Sequence, residues 1–138
     1  MSFRNPSDSE IQAILQRKKR IAVVGLGNDV TKPVYGVSQV MQAAGYEIIP
    51  VHPKADEVLG VKAVRSLKEI TGHVDIVNVF RRSEYLPQVA TEAVEIGADV
   101  FWAQLGLYHE DVPEILKPHD IVCIMDRCLK IEYARLLK

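Results

Sequence analysis

The sequence predicts an α/β fold: a doubly wound, parallel, five-stranded sheet of Rossmann-like type with a leading amino-terminal helix. Three observations predict it. Short runs rich in β-branched residues recur at Ile21–Gly25, Tyr46–Val51, Val74–Phe80, Asp99–Ala103 and Ile121–Met125, as strands buried on both faces do. Segments of helical period lie between them, at the spacing of parallel strands joined by crossovers. The first run breaks at Gly25-Leu26-Gly27 and passes through a polar loop into Pro33, which opens a helix. Right-handed crossovers leave few topologies, and the order expected is 3-2-1-4-5, with a ligand crevice at the carboxyl ends of the neighbouring first and fourth strands, faced by Gly25–Pro33 and Gln104–Gly106.

Each element has its own local reason. Ser7 and Glu10 stand at capping-box spacing, and Ile11, Ile14 and Leu15 share one face, so a helix is expected from Ser7 to Lys19. Its basic end, Arg17-Lys18-Lys19-Arg20, suits the negative pole of a helix dipole. After Pro33, Val34, Val37, Val40, Met41 and Ala44 make an apolar stripe that Gly45 ends. The second strand closes at His52-Pro53-Lys54, and a loop with Gly60 leads to a short element at Ser66–Ile70. The third strand runs into Arg81-Arg82-Ser83, where Ser83 is the expected N-cap of a helix bearing Leu86, Val89, Ala90 and Ala93, closed by Gly97. Gln104-Leu105-Gly106 follows the fourth strand, and a short helix near Val112–Leu116 precedes the fifth. The rest, from Asp126-Arg127-Cys128 through Tyr133, reads as a tail with a charged end.

The 138 residues read as one domain, 1–138, long enough for a core without staples. A formal charge of −1 argues against nucleic acid as a partner. No apolar run would span a bilayer, and Met1–Pro6 lacks the apolar core of a signal peptide. Cys123 and Cys128 form no CxxC pair and the four histidines are scattered. The expectation is therefore no metal, no disulfide and no membrane, in a reducing cytoplasm.

A strand, a glycine turn and a helix N-terminus make the first half of a nucleotide-binding βαβ unit. The dinucleotide fingerprint GxGxxG is only half present, since Val30 stands at the third glycine position. The second strand ends in His52-Pro53-Lys54, with no carboxylate for ribose hydroxyls until Asp56 and Glu57. Both departures count against NAD, while a cation there suits NADP or a 3′-phospho-ADP group.

Ordered along the chain stand Gly45-Tyr46, Pro50-Val51-His52-Pro53-Lys54, Ser66-Leu67, Val74-Asp75-Ile76-Val77 and Phe80-Arg81-Arg82-Ser83. Trp102-Ala103-Gln104-Leu105-Gly106 and Asp126-Arg127-Cys128 complete the set. From about Ile11 to Tyr133 the chain resembles the small stand-alone CoA-binding domain proteins of bacteria and archaea. These are related to the CoA-binding domain of the succinyl-CoA synthetase α subunit. The resemblance implies a Rossmann-like fold that holds coenzyme A or an acyl-CoA, as a binding module and not a catalyst, and it assigns no catalytic residue.

The ligand-binding residues expected are Gly25, Gly27, Asn28, Thr31, Lys54, Phe80, Arg81, Arg82, Gln104 and Gly106. Asn28 and Thr31 either donate to phosphate or cap the next helix, and Lys54 is a phosphate ligand or a solvated loop lysine. One of Arg81 and Arg82 reaches the pyrophosphate while the other pairs with a surface carboxylate. Phe80 stacks on adenine or packs in the core, and Trp102 reads as core. Cys128 is a packed thiol, a reactive one, or a disulfide partner for CoA. Two further readings stay open. One is an NADP-dependent oxidoreductase or redox sensor, with Tyr35 or Lys54 as proton donor. The other is an assembly protein with a vestigial crevice. A homodimer is compatible with any of them.

Overall fold

A computed structural model describes residues 3–138; residues 1–2, part of the stretch read for a signal peptide, lie outside the described residues. The amino-terminal helix α1 (Asp8–Arg17) carries the expected capping box, with the Ser7 hydroxyl accepting from the Glu10 N–H and Glu10 reaching back to the Ser7 N–H. Then follow β1 (Arg20–Val24), α2 (Pro33–Ala43), β2 (Glu47–Val51), a hairpin of β3 (Glu57–Val58) and β4 (Val61–Lys62), and β5 (Ile76–Val79). The second half is α3 (Leu86–Ile96), β6 (Val100–Ala103), α4 (Val112–Leu116), β7 (Val122–Ile124) and α5 (Leu129–Leu137). Among the described residues no helix is long and apolar enough to cross a membrane.

Five strands form one all-parallel sheet in the order β2-β1-β5-β6-β7. The doubly wound, Rossmann-like class is as predicted. Counted by its principal strands, however, the sheet reads 2-1-3-4-5. The third of them, β5, lies beside β1 and not beyond β2, where the expected 3-2-1-4-5 order places it. The connection out of β2 accounts for this. It doubles back through the β3–β4 hairpin and lays Val64 along β2, with the His52 N–H donating to Val64 O (2.9 Å) and the Val64 N–H to Pro50 O (3.0 Å). That edge is therefore occupied, and the chain crosses under the sheet to the free side of β1. The winding reverses between β1 and β5, so the crevice expected between first and fourth strands lies one strand nearer to Phe80 and Arg81.

Side-chain alternation divides the core. Ile21, Val23, Ile48, Ile76, Val100 and Trp102 face α1, α2 and α5, while Ala22, Val24, Val77, Val79, Phe101 and Ala103 face α3 and α4. Each Val or Ile so buried contributes about 1.5–3 kcal/mol by leaving water. Trp102 is core as expected, and its Nε1–H donates to Arg127 O at 2.9 Å.

Two local expectations give way. Ser83 does not cap α3, whose N-cap is Tyr85; the Ser83 hydroxyl accepts the Tyr108 N–H at 3.0 Å instead. Pro87 supplies the helix start that the hydroxyl was expected to supply. The carboxyl-terminal segment is no tail but α5, laid against α1 and α2. The buried Glu132 on its inner face is held by Arg135 at 2.8 Å, and Arg135 also forks onto Asp8 at 2.7 and 2.9 Å.

Candidate functional site

The site is built at the carboxyl ends of β1, β2, β5 and β6. At the end of β1, Gly25 takes φ +102°, donates its N–H to Val51 O (2.9 Å), and passes so near β5 that an added Cβ would lie 3.0 Å from Phe80 O. Only glycine combines that φ with that approach. Leu26 then turns into the core, fully buried. Gly27 has another reason to be small: a Cβ there would meet the His52 ring at 2.7 Å. Val30 is 67% exposed, because the loop runs on to a helix that begins only at Pro33. The third-glycine position of a dinucleotide fingerprint thus has no helix to pack.

Asn28 and Thr31 are engaged within the loop. The Asn28 amide donates to Glu57 O at 2.9 Å, tying the loop to the hairpin. Asp29 accepts both the Thr31 N–H (3.0 Å) and hydroxyl (2.5 Å), and these hydrogen bonds hold its carboxyl below the usual range. Lys32 is the N-cap of α2. No side chain caps that helix and no acid stands in its first turn, so its positive pole faces the cleft beside a lysine.

From β2, His52 accepts the N–H groups of Lys54 (3.1 Å) and Ala55 (3.0 Å) at Nδ1, which leaves its proton on Nε2. Burial, then the charges of Lys32, Arg65 and Lys54, lower its pKa. Arg65 forks onto His52 O (3.2 Å), onto Ala55 O and onto the Asp56 carboxylate (2.9 Å). From β5, Arg81 stacks over the Tyr85 ring at 4.4 Å and pairs with no carboxylate among the described residues, whereas Arg82 lies 3.5 Å from Glu84. Arg82 is thus the arginine beside a surface carboxylate, and Arg81 has no such partner among the described residues.

These groups surround a cleft of two adjoining chambers. The polar one, of about 480 Å3, is walled by Gly25, Lys32, His52, Arg65, Ser66 and Arg81, with Gln88 and Glu92 of α3 opposite. The second, of about 530 Å3, is walled mainly by Val34, Val37, Leu105, Leu107 and Cys128, with Gln104 and Arg82. Lys32, Phe80 and Arg81 border both. Of the ten residues expected at the ligand, Gly25, Phe80, Arg81, Arg82 and Gln104 come together here. Gly27 supports from behind, through His52.

Asn28, Thr31, Lys54 and Gly106 line neither chamber. Gly106 donates its N–H to the Asp126 carboxylate at 2.6 Å, and Lys54 contributes its backbone to the His52 turn. Tyr35, one of the two proton donors considered, also lies outside both walls. Cys128 is buried at the N-cap of α5, on the apolar wall. Sequence reasoning put the spans Gly25–Pro33 and Gln104–Gly106 at the crevice without singling out Lys32 or Leu105, and it missed Arg65, Glu92 and Leu107. A cation directly before the helix-opening proline was a usable signal for Lys32. Arg65 offered none, because it reaches the site only through the folding back of its loop along β2.

At the opposite end of the sheet, one donor atom each from His73, Asp75 and Asp99 lie within 4.8 Å of one another. Their polar capacity is engaged internally. Asp99 pairs with Lys18 and His73 (both 3.0 Å), and Asp75 accepts the N–H groups of Lys19 and Arg20 (both 3.0 Å).

Comparison with known proteins places this geometry. Residues 19–134 match the profile of a family described as CoA binding domain. YneT of Bacillus subtilis, an uncharacterized protein, is 59% identical over 132 residues, covering 96% of this chain and 98% of that one. The α subunit of an ADP-forming acetate–CoA ligase II from Pyrococcus furiosus is 37% identical over 78 residues, 56% of this chain and 17% of the ligase subunit. Among solved structures, one from Thermus thermophilus superposes with a TM-score of 0.90 at 34% identity, covering 96% of this chain and all of that one. A hypothetical protein from Pyrococcus horikoshii gives 0.93 at 28% identity, covering 100% and 99%.

Proposed function

This chain belongs to the CoA-binding domain family, and from that premise we propose that it is a stand-alone module that binds coenzyme A or an acyl-CoA in the two-chambered cleft. The observation that carries the reading is the cationic rim shared by both chambers. Lys32, Arg81 and the uncapped N-terminus of α2 converge beside Gly25. Phosphate groups suit such a rim, since backbone N–H groups, a helix pole and charged donors all favour an anion there. The end of β2 offers His52-Pro53-Lys54 in place of the acid that holds ribose hydroxyls in NAD sites. Phe80, half-buried on the border of the chambers, is placed to pack against a planar base.

We read the role as binding, metabolic or regulatory. Among the described residues, His52 Nδ1 is taken up by backbone N–H groups, and the wall that Cys128 lines carries no histidine. The ligase subunit matched here is several times longer than this chain. Its family domain is one part of a larger machine.

The test is a thermal-shift and calorimetric comparison of CoA, dephospho-CoA, NAD and NADP. CoA at about 100 times its Kd is expected to stabilise the fold by about 2.7 kcal/mol. Lys32→Met is expected to weaken it about tenfold or more, as loss of one charged hydrogen bond does. A clear preference for NADP would overturn the reading in favour of dinucleotide redox chemistry.

A further inference from the structure

One wall of the polar chamber does not suit phosphate. The cations stand elsewhere around it, Lys32 and Arg81 at the border with the second chamber and Arg65 beside the end of β2. Opposite them α3 presents Gln88 and Glu92. Glu92 is half-buried and is the only carboxylate on this lining among the described residues. It pairs with no cation there. The chamber's own arginines are turned away from it, Arg65 onto Asp56 at 2.9 Å and Arg81 onto the Tyr85 ring at 4.4 Å.

An ionised carboxylate accepts hydrogen bonds and donates none. It also repels any phosphate brought up to it. The part of a ligand that faces Glu92 is therefore neutral and carries a donor. Gln88 lies four residues before Glu92, one turn away on the same face of α3, and its amide both donates and accepts. Together they match an edge that sets an amine beside a ring nitrogen, as the N6 edge of adenine does. The other donor on a 3′-phospho-ADP group is the ribose 2′-hydroxyl. It sits on the carbon next to the 3′-phosphate, where a carboxylate would meet like charge. The amine lies across the purine from the phosphates. Pro53 and Phe80, on the same lining, supply apolar surface for the faces of the ring.

From these features we propose that Glu92, with Gln88 beside it, reads the base: adenine lies in the polar chamber with its exocyclic amine on the Glu92 carboxylate. The inference rests on the reading that the chain binds coenzyme A, and it adds the group that recognises the nucleoside. A carbonyl at the six position, as in hypoxanthine or guanine, sets an acceptor against an acceptor and leaves both unpaired. A site built on a hydrogen bond rejects such an analogue strongly.

Calorimetry with CoA and with deaminated CoA, in which oxygen replaces the six-amino group, tests it. The two ligands carry the same phosphates and the same arm, so the ratio of their Kd values isolates the base. Wild-type protein is expected to bind CoA about tenfold to a hundredfold tighter, the range for one hydrogen bond to a charged group. Glu92→Gln keeps the side-chain length and the helix propensity, and its amide can turn to donate to the carbonyl. It is expected to bring the two Kd values within about threefold of each other. A carboxylate acting through its charge alone would shift both values together and leave their ratio unchanged. A preserved ratio in Glu92→Gln would therefore overturn the inference, and so would equal binding of the two ligands by the wild-type protein, a comparison that needs no variant. Failure of wild type to bind either ligand would overturn it together with the functional reading.

Discussion

Gly25→Ala tests the joint on which the cleft is built. The residue sits at φ +102°, a conformation that costs an L-residue about 1–3 kcal/mol. The added Cβ would also lie 3.0 Å from the Phe80 carbonyl oxygen and 3.6 Å from its carbon. Both are backbone atoms of the residue directly after β5, held by the Phe80 N–H on Val24 O at 3.0 Å, and neither swings away as a side chain would. Together the two effects put the loss at about 2–4 kcal/mol. With about 2.1 cal/mol/K of unfolding entropy per residue over 138 residues, each kcal/mol shifts Tm by about 3.5 °C, so Tm should fall by about 7–14 °C. Gly36→Ala is the matched control. It lies inside α2 with nothing within 4 Å of the new methyl, and should gain about 0.5–1 kcal/mol. Thermal melts followed by circular dichroism, with urea titrations to confirm an unchanged m-value, read both variants. A Gly25→Ala protein within about 1 kcal/mol of wild type would refute the claim that conformation and close approach together require glycine.

Two further expectations concern charge. His52 has a pKa lowered from 6.5, chiefly by burial and then by three neighbouring cations, so as pH falls the unfolded chain takes the proton first. The contribution is fully present above about pH 6.5 and is lost as pH drops through the lower folded value. Since protonation at Nδ1 also removes the acceptor for Lys54 and Ala55, His52→Asn, which keeps an acceptor, should flatten the fall of the urea midpoint below pH 6.5. An unchanged pH profile in that variant would exclude His52 as the source. Arg135→Met should lower the urea midpoint by stranding the buried Glu132 carboxylate, an effect tempered because Arg135 is itself 45% exposed. Adding Glu132→Gln should recover most of that loss, and Asp8→Asn, which leaves the Arg135–Glu132 pair in place, should lower the midpoint less. A double variant no more stable than Arg135→Met would show that the lost packing, and not the stranded charge, was responsible.

What the sequence determined by itself is what depends on near neighbours. Strand, glycine turn and helix start at residues 20–33 follow from β-branching, from Gly25 and from Pro33. The capping box of α1 and the short helix at Val112–Leu116 are equally local, and so is the ordered motif set that carries the family. The absence of an acid directly after β2 was also readable. The tertiary structure decided the rest. It placed β5 beside β1, because the chain after β2 folds back and occupies the outer edge through Val64. It made a helix of Leu129–Leu137, whose inner face is interrupted by Glu132 and is completed only when Arg135 and Asp8 meet across the chain. It brought Arg65 to the cleft, tied Asn28 to Glu57 and Gly106 to Asp126, and separated the polar chamber from the apolar one. Each of these turns on contacts between residues far apart in sequence, such as Ser83 with Tyr108 or Gly25 with Phe80. Local propensity carries no record of such pairings, because the free energy that selects them is gained only when the whole sheet closes.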